Sequence, residues 1–492
     1  MAFNGIDTIP VDVQVHLSNG MPSIAIVGLA DKAVAESKER VRAALSSIGV
    51  ALPPKRIAIN LAPADINKEG SHYDLPIALG LMMAMGLVPE DSCQDLAVMG
   101  ELSLNGNIAA VTGVLPAAIG AAVEGMGLIC PYDRGIEASY AGDIEIIAAP
   151  SLTALINHLR GDQVLAPPSP GAKPPVQPLP DMADLVGQFT ARRVLEITAA
   201  GGHNLLMMGP PGAGKSMLAA RLPGILPEIS AAEALEVTMI HSVAGQLHDE
   251  NLIWQRPFRD PHHSSSVAAL VGGGHRARPG EVSLAHNGIL FLDELAEWQR
   301  PHLDSLRQTI ETHKAVVSRA NHVTYPARFQ LIAAMNPCRC GYLGDPARAC
   351  SRAPLCSQQY LSKISGPMLD RFDLLIEVPE VPIHMMMDKS DQETSADIRA
   401  RVMAAQQKAK TSCNQQKLNA DLSPDEIDAT IQLDEASRAL LHQVAEKNAL
   451  SARGFHRVLR VARTIADLAN DEEPKDFHLA EALQYRRLAT ES

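Results

Sequence analysis

Residues 209–216 read GPPGAGKS, and residues 289–294 read ILFLDE. The first string fits the pattern GxxxxGK followed by Ser or Thr, in which glycines let backbone N–H groups curl around phosphate oxygens. On that pattern Gly209, Pro210, Pro211, Gly212, Ala213 and Gly214 cradle the phosphates of ATP, Lys215 reaches the β- and γ-phosphates, and Ser216 ligates Mg2+. In the second string the apolar run Ile289 to Leu292 predicts a buried strand of a parallel sheet. Its end presents Asp293 to the magnesium shell and Glu294 to the water that attacks the γ-phosphate. A Gly-rich loop alone is also what a chance turn looks like; the matched strand ending in Asp-Glu is not.

A chain of 492 residues is too long for one ordinary core, so about two or three domains are expected. The longest apolar stretch, Leu75 to Val88, is interrupted by Pro76, Gly80 and Gly86, which predicts a buried helix and no membrane span. The opening MAFNGIDTIP has neither a basic segment nor an apolar core, so a cytoplasmic location is expected. The net charge of −13 argues against a surface coated in positive charge for nonspecific nucleic-acid binding. Locally the sign reverses: residues 256–278 hold Arg256, Arg259, His262, His263, His275, Arg276 and Arg278 against a single acid, Asp260.

From Gln163 to Pro180 the chain is so rich in proline that neither helix nor central strand fits, and an extended semi-rigid linker is expected. Upstream, VDVQVHLSN, IAIVGL and RIAINLAP read as strands, and DKAVAESKERVRAALSSIG as an amphipathic helix ending at Gly49. Downstream, a helical pattern around Ala191 to Ala200 leads to the strand NLLMMG, the phosphate loop, the helix KSMLAARLPGIL, and further strands at ILFLDE and FQLIAAMN. Alternation of this kind implies an α/β fold, a parallel sheet flanked by helices with the phosphate loop at the carboxyl end of its strand. From Asp434 to Leu488 the patterns are helical throughout. Within SARGFHRVLRVARTIADLAN, the ~100° step of a helix puts Val458, Val461, Ala462, Ile465 and Leu468 on one face. Arg453, Arg457 and Arg460 fall on the other, which reads either as a solvated basic face or as a functional one.

Two more polar residues stand where a phosphate site could use them. Asn336 follows the strand FQLIAAM, where it either orients the attacking water or merely turns the chain into Pro337. Arg371, in SGPMLDRFDLLIEVP, either stabilises charge on a γ-phosphate bound by a neighbouring subunit or pairs with Asp370 or Asp373.

The order of these motifs resembles the AAA+ ATPases, in the branch of magnesium chelatase motor subunits and MCM helicases. DLVGQ, AAGGHNLLMMGPPGAGKSMLA, RPFRDPHHSSS, GGGHRARPGEVSLAHNGILFLDEL, SGPMLDRFD and SARGFHRVLRVARTIADL more closely resemble the ComM/YifB family of magnesium-chelatase-like proteins. The resemblance covers nearly the whole chain. It implies Asn336 as sensor 1, Arg371 as a finger acting in trans and Arg453 as sensor 2. It also implies a homo-oligomer, a hexameric DNA helicase that drives branch migration of branched or single-stranded DNA in homologous recombination during natural transformation. One departure is Asp260, which stands where the family has a small residue and puts a negative charge into the expected DNA-facing loop.

Cys338, Cys340, Cys350 and Cys356 offer enough thiolates for a closed tetrahedral site, for which Zn2+ in a structural role is the natural occupant. An iron–sulfur cluster and four unrelated thiols are the competing readings. Residues 67–80 and 99–121 resemble the proteolytic domain of Lon proteases, but His72 stands at the nucleophile position and Pro116 at the lysine position. Neither can serve. Ser71 and Lys68 lie close in sequence, a poor substitute for a dyad assembled from separate segments. The expected organisation is therefore a Lon-like α+β domain without peptidase chemistry over 1–162, and a proline-rich linker over 163–182. An AAA+ core with a cysteine insertion at 338–356 follows over 183–382, then a helical lid over 383–492. Three activities follow: a motor on DNA with residues 256–278 lining a pore, a chelatase-type motor on a protein partner, and, least favoured, an ATP-dependent protease.

Overall fold

A computed structural model describes residues 1–175, 177–247, 251–274, 277–318, 322–341, 343, 355–382, 392–412, 417–448 and 451–486. At its centre lies a parallel sheet of β1 (Leu205–Met208), β2 (Phe258–Arg259), β3 (Ile289–Leu292), β4 (Gln330–Met335) and β5 (Leu374–Glu377), in the order β2-β3-β4-β1-β5. All neighbours are parallel, with Leu205 opposite Ile332 and Leu374, and Phe291 also opposite Ile332. Both β1 and β3 are buried at every residue, because helices cover both faces of the sheet. Side chains alternate between the two faces. Leu205 and Met207 enter one apolar cluster with the helices Phe189–Gly201, Lys215–Ile225 and Ala452–Leu468, while Leu206 and Met208 enter another with the helix Arg300–Thr312.

The C-terminal helices Glu435–Asn448, Ala452–Leu468 and Asp476–Gln484 close over the first cluster. Val458, Val461, Ala462 and Ile465 are buried there, as their shared face requires. The opposite face departs from a solvated one. Arg457 is only 8% exposed and pairs with Asp370 and Asp373 at 3.6 and 3.5 Å. Arg460 is half-buried, and only Arg453, in the first turn, is exposed. The helical wheel located the apolar stripe but could not reveal that acids from the loop before β5 cover the other side.

Ahead of the core, Asp12–Ser18 runs antiparallel to Arg56–Ala62, which pairs in parallel with Ser23–Val27. A second sheet joins Ile146–Ala149, Gly127–Pro131 and Leu96–Val98. The apolar stretch from Leu75 falls in the buried helix Asp74–Ala84, anchored by a bidentate Arg40–Asp74 pair at 2.6 and 2.9 Å. Here Ser71 donates to Glu101, and buried Lys68 donates to the Pro63 carbonyl. His72 meets the Met1 carbonyl at 3.0 Å, and Pro116 is buried in the helix Val114–Val123. Serine and lysine thus have other partners. Gly113 N donates to Ser242 of the helix Ala231–Ala244, and Ser242 donates to the buried Glu137, so this part docks on the core through polar contacts. The proline-rich stretch is extended but held: Tyr140 donates to the Gly171 carbonyl at 3.3 Å, and Lys173 pairs with Glu228 at 3.3 Å.

No described helix is long and apolar enough to cross a membrane.

Candidate active site

The phosphate loop leaves the carboxyl end of β1 and enters the helix Lys215–Ile225. Gly212 and Gly214 adopt φ of 82° and 87°, a region open to glycine at little cost, and that curvature turns the loop inward. Gly209 is needed for a different reason: a Cβ there would lie 2.1 Å from the Val378 carbonyl oxygen. Gln188, in the DLVGQ string, donates to the Ala213 carbonyl at 3.1 Å and to that of Pro379 at 2.6 Å, tying the loop to the segment beyond β5. Its role had no signal beyond membership of that string.

Lys215 Nζ donates to the carbonyls of Gly209 and Pro210 at 2.8 and 2.9 Å and to Asn336 Oδ1 at 3.3 Å. Burial lowers its pKa, against the attraction of Asp293 and Glu294. Ser216 Oγ donates to Asp293 Oδ2 at 2.9 Å, so the hydroxyl and the carboxylate that suit Mg2+ face each other across the end of β4, which lies between β1 and β3. Asn336 reaches the loop because β4 is hydrogen-bonded beside β1 and ends level with it, Met208 opposite Met335.

Glu294 holds φ of 50°, uncommon for a non-glycine residue, and its Oε2 lies 3.3 Å from His263 Nδ1. His263 arrives from the segment after β2, which runs alongside β3 with Arg259 opposite Leu290. Asp260 follows Arg259 directly; loss of hydration, and then the charge of Asp293, push its carboxyl above the ordinary value. The basic segment is also less free than its charge count suggests. Arg259 forms a bidentate pair with Glu281 at 2.6 and 2.8 Å, and Arg256 pairs with Glu233 at 3.2 Å. Arg278 is exposed, while His275 and Arg276 lie outside the described residues.

Arg371 lies elsewhere. It precedes β5 by three residues, and Leu374 pairs with Leu205 at the start of β1, so Arg371 sits at the amino edge of the sheet whose carboxyl edge carries the phosphate loop. Asn204 fixes it there, donating to the Arg371 carbonyl at 3.0 Å and accepting from Leu331 N at 2.8 Å. The guanidinium pairs with Glu311 of the helix Arg300–Thr312, whereas Asp370 and Asp373 pair with Arg457. Both acids offered by sequence as partners of Arg371 are therefore taken by another arginine. Burial, followed by the charges of Arg457, Arg307 and Arg453, lowers the Arg371 pKa, and its Nε is buried without a hydrogen-bond partner among the described residues. Arg453 thus shares a neighbourhood with Arg371 and Arg457, and Arg307 is the member of this group that the sequence did not single out.

The sulfurs of Cys338, Cys340 and Cys356 lie within 4.8 Å of one another, close enough for one metal ion; Cys350 lies outside the described residues. Cys338 is buried, and Cys340 and Cys356 are half-buried.

Comparison with known proteins places the chain in a family. A family model for magnesium chelatase, subunit ChlI, matches residues 181–386, another for subunit ChlI of Mg-chelatase matches 13–134, and one for the ChlI C-terminal region matches 392–486. Competence protein ComM of Haemophilus influenzae is 43% identical over 494 residues, covering 98% of this chain and 96% of that protein. The chain belongs to the ComM/YifB family of magnesium-chelatase-like AAA+ proteins. YifB of Salmonella typhimurium and YifB of Escherichia coli are each 42% identical, covering 98% of this chain and 95% of either relative. As in that family, an α/β core with a parallel sheet is followed by a helical C-terminal region, and ATPase activity is what membership implies.

Proposed function

We propose that the protein is one subunit of an ATP-driven ring, expected to be a hexamer, that moves branched or single-stranded DNA in the manner of a branch-migration helicase during natural transformation. The placement of Arg371 carries the oligomeric half of this reading. It lies at the opposite end of the strands from the phosphate loop of its own chain, about 13 Å along a strand of four residues, and so serves a nucleotide held by a neighbour. Arg453 lies in the same cationic group and acts on the same neighbouring nucleotide. Within one chain, Lys215, Ser216 and Asp293 hold MgATP, Glu294 activates water and Asn336 orients it.

The name of the Haemophilus relative, a competence protein, supports the DNA half. A second reading, a motor acting on a protein partner, is favoured by one observation: Arg256 and Arg259 are spent on ion pairs with Glu233 and Glu281, which thins the charge available to a DNA backbone. ATPase measured with and without a Holliday junction at low salt separates the two. Stimulation supports the DNA motor, and its absence sinks it, because phosphate contacts are strongest when salt is low.

The cysteines are assigned to a structural Zn2+, with Cys350 as fourth ligand to Cys338, Cys340 and Cys356. Metal analysis of purified protein checks this: about one equivalent per chain is expected.

A further inference from the structure

We propose that the metal at the cysteine site fixes the phosphate loop, so that metal occupancy sets nucleotide affinity. This rests on the metal reading of the cysteines and adds a regulatory link between two sites that sequence places far apart.

Three contacts make the link. Asn336, at the tip of β4, accepts from Lys215 Nζ at 3.3 Å, and the buried Cys338 follows two residues later. Gly341 N donates back to the Cys338 carbonyl at 3.0 Å, closing a tight turn in which Gly341 holds φ of 85°. That turn is pressed on the phosphate loop: a Cβ at Gly341 would lie 2.6 Å from Pro211 Cδ and 2.8 Å from its Cγ. Finally, Ser357 Oγ, beside Cys356, donates to the Pro337 carbonyl at 2.8 Å. The third thiol therefore comes from the helix Leu355–Leu361, whose Tyr360 is buried in the same apolar cluster as Met335 at the end of β4.

A divalent cation bound by these thiols, as thiolates whose protons leave to solvent, ties residues 338, 340 and 356 together. The helix is anchored in the core, so the turn at 338–341 stays against Pro211 and Asn336 stays in reach of Lys215. Without the ion, the turn rests on the Ser357 contact and its own hydrogen bond. The phosphate loop then loses a wall, and nucleotide must order a looser cradle as it binds. Linkage makes the effect reciprocal: nucleotide must hold the metal more tightly by the same factor.

The test uses the full chain, with no DNA and with Mg2+ in excess. Binding of a fluorescent ADP is measured on protein as purified, after stripping with a thiol-seeking chelator, and after reloading with Zn2+. Affinity is expected to fall about tenfold on stripping and to return on reloading. Release of Zn2+ to a colorimetric chelator is expected to slow by a similar factor when ADP is present. Gly341→Leu keeps every cysteine and pushes on Pro211, so it is expected to retain metal yet bind ADP weakly; this variant and the release rate decide the matter if stripping unfolds the chain. Equal ADP affinity with and without metal, or a release rate indifferent to ADP, overturns the inference. A chain that neither contains nor takes up Zn2+ ends both the metal reading and this link, while DNA stimulation of its ATPase is judged separately.

Discussion

The two edges of the central sheet are built in opposite ways. At the carboxyl edge, charges and dipoles answer one another within the chain: Lys215 meets carbonyls and Asn336, Ser216 meets Asp293, and Glu294 meets His263. At the amino edge, Arg371, Arg453, Arg457 and Arg307 gather, and although Asp370, Asp373 and Glu311 answer some of that charge, buried guanidinium nitrogens of Arg307, Arg371 and Arg457 have no hydrogen-bond partner among the described residues. Leaving a buried donor without a partner costs free energy, so those nitrogens are candidates to meet an acceptor from outside the chain. On the proposed reading, the first edge receives a nucleotide of its own chain, and the second lends its arginine to a nucleotide of a neighbour.

The harshest test of this contrast is Arg371→Ala, expected to lower ATPase turnover about 10³-fold or more while leaving nucleotide binding intact. Lys215→Ala should instead abolish nucleotide binding. Mixing the two variants should restore part of the turnover, since some interfaces then combine a good loop with a good arginine. Failure of any mixture to recover would place both functions in one chain and end the contrast. Glu294→Gln comes next, with hydrolysis down about 10²- to 10⁴-fold and ATP retained, as seen by equilibrium binding. Normal turnover in that variant would remove Glu294 as the base.

Stability sharpens the comparison at the amino edge. Burial pushes the Asp373 carboxyl up, but His203, Arg457 and the Asn204 N–H outweigh it and hold the carboxyl below its ordinary value. A carboxyl depressed in the folded state stabilises the fold fully above its unfolded pKa of about 4, and that contribution is lost as pH falls through the lower folded value. Asp373→Asn should therefore destabilise the protein by about 3–5 kcal/mol at neutral pH and flatten the acid limb of its stability profile, followed by thermal melting from neutral pH downwards. The smallest effect is expected at His263→Ala. Freeing Glu294 from that contact should change basal ATPase by about 1.4 kcal/mol in barrier or less, at most tenfold, without altering ADP affinity. A larger loss would move His263 into the hydrolytic machinery itself.

What the sequence disclosed follows the range of the interactions concerned. The phosphate loop and the Asp293–Glu294 strand were legible because a contiguous string carries both the backbone geometry and the ligands. Asn336 was legible through its strand, since parallel neighbours of similar length end level. Glu311 as the partner of Arg371 was not, because sixty residues separate them and only the packing of the helix Arg300–Thr312 brings them together. The basic run at 256–278 misled in the same way. Charge counted along the chain ignores Glu233 and Glu281, which the fold delivers from either side.

The separation of Arg371 from Lys215 by the length of the sheet's strands has a quantitative consequence. If each chain lends its arginine to one neighbour and borrows from another, an isolated chain has binding capacity but almost no turnover, and an open string of subunits always leaves one terminal nucleotide unattended. Specific activity then rises with protein concentration until rings close. Dilution alone switches such a machine off, and a cell could govern it simply by how much of the chain it makes.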